Sequence, residues 1–255
     1  MPEIVETPDA ESLAEFAARA FLHAAQAAMQ NHGRFSVVLS GGSTPQKMYI
    51  RLSQPPYLEQ VDWNRVFFFW GDERCVPPDH AESNFGAARK ALLDVAPIPR
   101  ANIHRIPGEL APELSAGLYE QDLRDFFGGQ DPPHLDLILL GLGEDGHTAS
   151  LFPGSPALHE VEHWTAAVMH ADGPPPLVPR VTLTLPVLNA AHEIIFLVSG
   201  ENKASILARV VSLPSPPGDI YPAQLVRPVS GRVTWLADRA ALAVWKKTPA
   251  EGNLE

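Results

Sequence analysis

Apolar residues recur along this chain in two periods that alternate with each other. Over residues 9–30 they return at intervals of three and four in an alanine-rich setting, which predicts an amphipathic helix. Asn31, His32 and Gly33 then provide a helix stop. Residues 35–39 form a short, mostly apolar and β-branched run, and such a run predicts a buried strand.

The same cycle of strand, polar loop and helix repeats along the chain. Apolar runs predict further strands at residues 66–70, 135–140, 164–169, 180–185, 193–198 and 232–236. Helices are predicted at residues 45–52, 83–93, 113–127, 200–211 and from residue 238 onward, and the proline-rich residues 212–230 are predicted to form a long loop. This alternation is typical of a mostly parallel sheet covered by helices, and no linker interrupts it. We therefore predict a single α/β domain over residues 1–255.

Charge and cysteine content narrow the class of protein. Lys and Arg number 19 and Asp and Glu number 30, a net charge of −11, which argues against a general binder of nucleic acid or anionic membranes. Cys75 is the only cysteine, so an internal disulfide and a multi-cysteine zinc site are excluded and a reducing compartment is favoured. The first 15 residues carry five acidic and no basic side chains, and no apolar run reaches about 18 residues, so neither a targeting peptide nor a membrane span is predicted. We expect a soluble, cytoplasmic protein.

Three polar loops follow three of the predicted strands, at the sheet edge where open α/β sheets bind ligands. The first, SGGST, is rich in glycine and opens onto a helix, with Thr44 as the predicted N-cap and Pro45 at the first helical position. Its free N–H groups and the helix dipole favour an anion such as phosphate, although an ordinary strand–helix turn would use the same residues. The GxxxxGK[ST] spacing of a Walker loop is absent.

The second loop, GLGEDGH, fits the dinucleotide pattern G-x-G-x-x-G but lacks its context. Pro153 and Gly154 leave room for barely two helical turns, and the charges of Glu144 and Asp145 would oppose a pyrophosphate. Asp145 and His147 instead indicate acid–base chemistry, because histidine has an unperturbed pKa of about 6.5 and a nearby carboxylate can fix its tautomer. A structural histidine is the alternative, but the position of His147 at a strand end favours it over the other nine histidines.

Positive side chains stand beside these loops. Arg74 ends the triplet Asp72-Glu73-Arg74 in the third loop, Arg180 begins a strand, and Lys203 lies near the start of a helix, where the dipole disfavours a cation. Arg74 can bind a phosphate through two hydrogen bonds, and a lysine placed against the dipole suggests an anion beside it. A salt-bridged loop and solvated surface cations are the alternatives. The chain has no HExxH or GxSxG motif and a single cysteine, so no metal site is predicted.

Five sequence blocks carry a family resemblance: LSGGSTP, FFFWGDERCVPPDHAESNFGAARKALL, LDLILLGLGEDGHTASLFPGS, VPRVTLTLPVLNAA and FLVSGENKA. Together they resemble the bacterial type of 6-phosphogluconolactonase, in the family that it shares with glucosamine-6-phosphate isomerases. The resemblance implies a Rossmann-like α/β fold with a mostly parallel sheet and helices on both faces. It also implies hydrolysis of 6-phospho-D-glucono-1,5-lactone to 6-phospho-D-gluconate in the oxidative pentose phosphate pathway, by a monomer that uses no metal or organic cofactor.

The same resemblance implies a role for each matching residue. His147 would be the general base that takes a proton from water, and Asp145 would orient it. A larger set would form the sugar-phosphate site, with its cations also available to the reacting oxygen: Gly42, Ser43, Thr44, Asp72, Arg74, Asn84, Arg180 and Lys203. Whether Asp72 or Glu73 contacts the sugar stays open.

Two other functions compete with lactone hydrolysis. The related deaminases carry a glutamate immediately before the proline of a DGHxAFNEP pattern, whereas this chain has Phe152 before Pro153, which favours the lactonase. A non-catalytic sugar-phosphate sensor would keep the glycine-rich loop and the cations but would not need His147, so the Asp145 and His147 pair weighs against it. In every case the expected partner is a small sugar phosphate, and neither nucleic acid nor a membrane.

Overall fold

Two sheets organise the part of the chain that the computed structural model describes, which is residues 3–129, 131–212 and 220–247. The strands are β1 (Glu3–Thr7), β2 (Phe35–Leu39), β3 (Val66–Trp70), β4 (Asp72–Arg74), β5 (Leu137–Leu140), β6 (Thr165–Val168), β7 (Arg180–Leu183), β8 (Glu193–Val198) and β9 (Arg232–Asp238). A six-stranded parallel sheet has the order β1-β9-β8-β5-β2-β3. A three-stranded antiparallel sheet has the order β4-β7-β6.

Helices connect the parallel strands on both faces of the larger sheet. They are α1 (Ala10–His32), α2 (Ser43–Leu52), α3 (Tyr57–Gln60), α4 (Asn84–Ala88), α5 (Pro112–Phe127), α6 (Leu185–Leu188) and α7 (Ala204–Val211). The chain moves from β2 to β3 in one direction across the sheet, and from β5 through β8 to β9 in the other. Because such crossovers are right-handed, α2 and α7 cover opposite faces. The predicted α/β fold with a mostly parallel sheet is confirmed.

The reversal of strand order defines where a ligand can bind. Strands β2 and β5 are neighbours, and the chain leaves them toward opposite edges of the sheet. A crevice opens outside the carboxyl ends of two such strands, because the loops that follow them diverge. The glycine-rich loop after Leu39 and the histidine-containing loop after Leu140 therefore border the same space.

Local chemistry explains the bounds of the longest helix. The Asp9 side chain accepts a hydrogen bond from the Ser12 N–H (2.8 Å) and caps α1, and the Gly33 N–H donates to the Met29 carbonyl at its other end. The apolar stripe of α1, which includes Phe21, is buried against the sheet. The helix predicted over residues 9–30 is thus confirmed, with a slightly later end.

Three local predictions are wrong. Thr44 is not the N-cap of α2, because the helix begins at Ser43 after Gly42, whose φ of 108° lies in a region that favours glycine. The triplet predicted as a polar loop forms β4, because it pairs with β7. Asp238 does not begin a helix, because it pairs with Thr7 of β1 and ends β9; turns follow it, and the next helical segment within the described residues is the short 3-10 helix Trp245–Lys247.

Further differences are smaller. Strand β1 was not predicted from the acidic N-terminal residues, yet it pairs in parallel with β9 at the edge of the sheet. The helix predicted over residues 83–93 is α4 followed by a π-helical turn, Arg89–Leu93. Of the loop predicted over residues 212–230, residues 213–219 lie outside the described residues. Within the described ranges, none of the helices combines the length and the apolar character that a bilayer span requires.

Candidate functional site

A cavity of about 490 Å³ opens at the crevice between the loops that follow β2 and β5. Most of the residues predicted for a site line it: Gly42, Asp72, Arg74, Asn84, His147, Arg180 and Lys203. Asp145 contacts His147 from outside the cavity wall. Ser43 and Thr44 lie in the first turn of α2 and do not line the cavity, whereas Ser40 and Gly41 do. The structure therefore gathers loops that are distant in sequence around one space.

The loop after β5 folds back on itself and presents His147 to the cavity. Its turn is closed by hydrogen bonds from the Gly143 N–H to the His147 carbonyl (2.8 Å) and from the Gly146 N–H to the Gly143 carbonyl (3.0 Å). Only glycine fits at position 143, because a Cβ there would lie 2.1 Å from His147 Nδ1. This close approach lets Asp145 Oδ1 reach His147 Nδ1 (2.5 Å) and the His147 backbone nitrogen (3.1 Å).

The contact with Asp145 assigns the two nitrogens of the His147 ring. An ionised carboxylate only accepts hydrogen bonds, so in the neutral imidazole Nδ1 carries the proton and Nε2 keeps its lone pair. Burial raises the pKa of the Asp145 carboxyl, but the hydrogen bonds and the charge of His147 outweigh burial and leave that pKa below its ordinary value. The site thus holds a paired carboxylate and a histidine with one free ring nitrogen, in a side chain that lines the cavity.

Two arginines meet across the smaller sheet. Strand β4 pairs with β7 in a register that places Arg74 opposite Arg180. Arg74 Nη1 donates to the Glu82 carbonyl (2.7 Å), and Arg180 Nη2 donates to the Pro176 carbonyl (3.1 Å). The Nε of each arginine is buried and has no hydrogen-bond partner among the described residues. Like charges directly opposite each other destabilise a sheet. Among the described residues Glu82 forms an ion pair with Arg74 (3.6 Å) and none forms one with Arg180, so the remaining positive charge favours a bound anion.

The surroundings of Arg180 are mostly apolar. Arg180 is 3% exposed, and its guanidinium carbon lies 5.2 Å from the centre of the Phe152 ring. Burial lowers the pKa of the Arg180 guanidinium from its ordinary value, and the charge of Arg74 adds to that effect while Asp72 opposes it. An arginine keeps its proton in proteins even so, which leaves a buried positive charge beside the cavity.

Strand alternation separates the two acidic side chains of β4. Asp72 lies on the same face as Arg74 and lines the cavity, whereas Glu73 between them lies on the other face. The Asp72 carboxylate accepts hydrogen bonds from Ser150 Oγ (2.6 Å) and Asn84 Nδ2 (3.1 Å). Of the two acids, Asp72 is therefore the one that borders the cavity. Asn84 binds its Oδ1 and Ser150 binds its Oδ2.

Glu73 has a structural position behind the cavity. It is 2% exposed, and its carboxylate accepts hydrogen bonds from the backbone N–H groups of Arg74, Asn84 and Phe85, each at 2.8 Å. Ser83 Oγ donates a fourth, at 3.0 Å. Burial raises the pKa of the Glu73 carboxyl, and these N–H groups oppose the rise. Glu73 thereby ties β4 to the start of α4 and fixes the positions of both Arg74 and Asn84.

Lys203, in the segment that follows β8, brings a third positive charge to the cavity. It ends the short 3-10 turn Glu201–Lys203 and immediately precedes α7. Its ammonium forms no ion pair within residues 3–129, 131–212 and 220–247. Lys203 lies at a helix start, as predicted, where the helix dipole is unfavourable for a cation. Its ammonium is therefore available to bind an anion in the cavity.

Several residues at the site were not singled out from the sequence. Ser150 is fully buried and holds Asp72, and Ala149 beside it adopts a φ of 48°, a left-handed value that strains a residue with a Cβ. Pro174 and Pro175 also line the cavity. The position of Ser150, three residues after His147, could have drawn attention to it, whereas nothing in the sequence marked the two prolines.

In the described part of the chain, no group of three His, Cys, Asp or Glu side chains is placed to hold a metal ion.

Known proteins resemble this chain in sequence and in structure. The family model for glucosamine-6-phosphate isomerases and 6-phosphogluconolactonases matches residues 8–235. The chain is 41% identical over 245 residues to a 6-phosphogluconolactonase from Nostoc sp., covering 94% of this chain and 98% of that protein. It is 41% identical over 231 residues to the 6-phosphogluconolactonase of Rattus norvegicus, covering 90% and 87%.

A solved structure gives the same relationship in three dimensions. The 6-phosphogluconolactonase from Trypanosoma cruzi superposes with a TM-score of 0.84 at 30% identity, covering 94% of this chain and 96% of that chain. The residues that the family model matches include all the loops that border the cavity.

Proposed function

We propose that this chain, which belongs to the family of glucosamine-6-phosphate isomerases and 6-phosphogluconolactonases, is itself a 6-phosphogluconolactonase. Its substrate would be 6-phospho-D-glucono-1,5-lactone and its product 6-phospho-D-gluconate, in the oxidative pentose phosphate pathway. The reaction needs a base, a positioned water and binding groups for a dianionic phosphate, and the cavity supplies side chains suited to each task. The enzyme would act as a cytoplasmic monomer on a small sugar phosphate, without a metal or organic cofactor.

His147 would act as the general base. Its Nε2 takes a proton from water while the water oxygen attacks the lactone carbonyl carbon, and Asp145 stabilises the imidazolium that forms. The tetrahedral intermediate then collapses, the bond from the carbonyl carbon to the ring oxygen breaks, and the imidazolium returns its proton to that oxygen. Water is consumed and one carboxylic acid is formed, so no other reactant is required.

The observation that carries this function is the in-register pair of Arg74 and Arg180. Each has a buried Nε without a partner among the described residues, and Lys203 adds a free ammonium to the same cavity. A dianionic phosphate in the cavity would meet the positive charges of both guanidinium groups and of the ammonium together, and would anchor the sugar at a distance from the reacting carbon. Gly42, Asn84 and Asp72 would complete the substrate site, with Ser43 and Thr44 contributing from the first turn of α2.

The decisive experiment compares two reactions of the purified protein. We expect acid release from the lactone well above the spontaneous rate, and no ammonia release from glucosamine 6-phosphate, because Phe152 offers no carboxylate beside His147. His147→Ala should lower kcat by about 10²–10⁴-fold with a small change in KM. Ammonia release would assign the deaminase reaction, and lactone turnover that is unchanged in His147→Ala would remove the proposed base. Binding of 6-phosphogluconate without turnover would indicate a sensor.

A further inference from the structure

His170 is a buried histidine that the reaction described above does not use. It follows β6 and is 6% exposed. Its ring lies flat on the Phe152 ring, with 4.2 Å between centres and 16° between planes. Its Nε2 lies 2.7 Å from the Pro174 carbonyl oxygen, and because a carbonyl only accepts, this nitrogen carries a proton. The His170 side chain therefore contacts both the Phe152 ring and the proline segment that lines the cavity.

The first contact leads to the catalytic histidine. The Phe152 ring also meets the His147 ring, with 4.5 Å between centres and an angle of 44°. Phe152 is itself 8% exposed and contacts both imidazoles. A ring in such a position limits the tilt of the base, and His170 in turn limits the movement of Phe152.

The second contact leads to the cavity wall. Pro174 and Pro175 line the cavity, and prolines have no N–H with which to anchor themselves. Their segment is held through carbonyl oxygens instead: His170 Nε2–H binds the Pro174 carbonyl, and Arg180 Nη2–H binds the Pro176 carbonyl (3.1 Å). Because Arg180 is also a proposed phosphate ligand, the wall lies beside the phosphate-binding end of the cavity.

We propose that His170 is a positioning residue with two separable tasks: its ring supports Phe152 behind His147, and its Nε2–H holds the Pro174 wall against the bound sugar phosphate. The first task serves the chemical step and the second serves binding. Arg180 also lies against the Phe152 ring (5.2 Å), but its hydrogen bond to the Pro176 carbonyl holds it independently of that ring. This role rests on the proposed function, so the test needs one readout that does not depend on turnover.

Two substitutions separate the tasks. His170→Phe keeps a flat ring against Phe152 but cannot donate, and we expect KM for the lactone to rise about fivefold with kcat within twofold, the loss typical of one neutral hydrogen bond. His170→Gln keeps an N–H at similar reach but loses the ring, and we expect kcat to fall about fivefold with KM within twofold. Calorimetric titration with 6-phosphogluconate should show the same weakening for His170→Phe and near-normal binding for His170→Gln.

A matched control comes from the opposite end of the sheet. His134 also stacks on a ring, that of His192 (5.6 Å between centres), and its Nδ1 lies 2.8 Å from the Ala190 carbonyl oxygen. His134→Phe removes the same kind of hydrogen bond far from the cavity and should change neither kcat nor KM. The two-task role would be overturned if both His170 variants changed kcat and KM in the same way and in proportion to their loss of melting temperature. Normal kinetics in both variants would overturn it as well. If the wild type binds 6-phosphogluconate without hydrolysing the lactone, the proposed function fails, while weaker binding by His170→Phe would still support the wall contact.

Discussion

Removing the charge of Asp145 should slow the chemical step and leave substrate binding unchanged. In Asp145→Asn, the amide keeps the shape of the carboxylate but loses the charge that lies against the His147 ring, where Oδ1 is 2.5 Å from Nδ1. The imidazole becomes an imidazolium only as it takes the proton from water, so the lost attraction acts on the transition state more than on the ground state. Asp145 does not line the cavity, and KM should therefore stay within about twofold of the wild-type value.

The size of the effect follows from the geometry. Two unit charges about 4 Å apart attract by about 4 kcal/mol at an effective dielectric constant of about 20. The side chains of Asp145 and His147 are 33% and 19% exposed, so solvent screens part of this attraction. We take about half, about 2 kcal/mol, which corresponds to a loss of roughly 30-fold in kcat. If the amide rotates and presents its NH₂ to Nδ1, the ring tautomer reverses and the loss is larger, so this figure is a minimum.

The assay is steady-state lactone hydrolysis, corrected for spontaneous opening, with wild type and variant at the same pH. Asp125→Asn is the matched control, because it makes the same charge change at an exposed position on α5, outside the cavity. We expect that control to keep wild-type kcat and KM. A kcat for Asp145→Asn within about threefold of wild type would refute the electrostatic argument, and so would a loss confined to KM.

Three other outcomes are expected. Arg74→Ala and Lys203→Ala should each raise KM about 10- to 100-fold, the cost of a charge-assisted hydrogen bond, and normal KM in both would exclude them as phosphate ligands. Ser150→Ala should lower the free energy of unfolding, measured with urea, by about 1–3 kcal/mol, because the buried Asp72 carboxylate loses a donor at 2.6 Å; an unchanged midpoint would contradict this. Because the folded-state pKa of Asp145 is lowered, its carboxylate adds stability above its unfolded pKa of about 3.9 and loses it as pH falls through the folded value. The melting-temperature gap between wild type and Asp145→Asn should therefore close in acid, and a gap that widens would show the opposite sign.

The features that sequence patterns predicted well are the local ones. Helix α1 follows from a periodic apolar stripe and a terminal glycine within one stretch of chain, and both lie where the pattern indicates. Asp145 and His147 are two residues apart in one tight turn, so their contact needs no knowledge of the rest of the fold. The parallel sheet was predictable for the same reason, since its central strands β2 and β5 are short runs of mostly apolar residues.

The features that were missed depend on distant pairing. Nothing within Asp72-Glu73-Arg74 predicts a strand, because the triplet has no apolar side chain; it becomes β4 only because β7 lies alongside it. That register decides which acid borders the cavity and brings Arg74 against Arg180, and neither result can be derived from the triplet alone. The wrong helix after residue 238 has a similar origin. Asp238 was expected to begin a helix, but its carboxylate also binds Ser199 Oγ and the Gly200 N–H, which keeps it at the end of β9.

The placement of the cations also explains how a protein with a net charge of −11 can select an anion. Exposed positive charges on such a surface would be screened and outnumbered, and would give little discrimination among anions. Arg180 is instead 3% exposed and faces Arg74 across two paired strands, so these two charges lie together at one small cavity. A compact dianion could bind several donors there at once, whereas a polyanion would have to bring its remaining charges against a protein whose net charge is −11. The backbone pairing that sequence patterns could not predict thus brings two positive charges to one cavity, and under the proposed function those charges would favour a sugar phosphate over a polyanion.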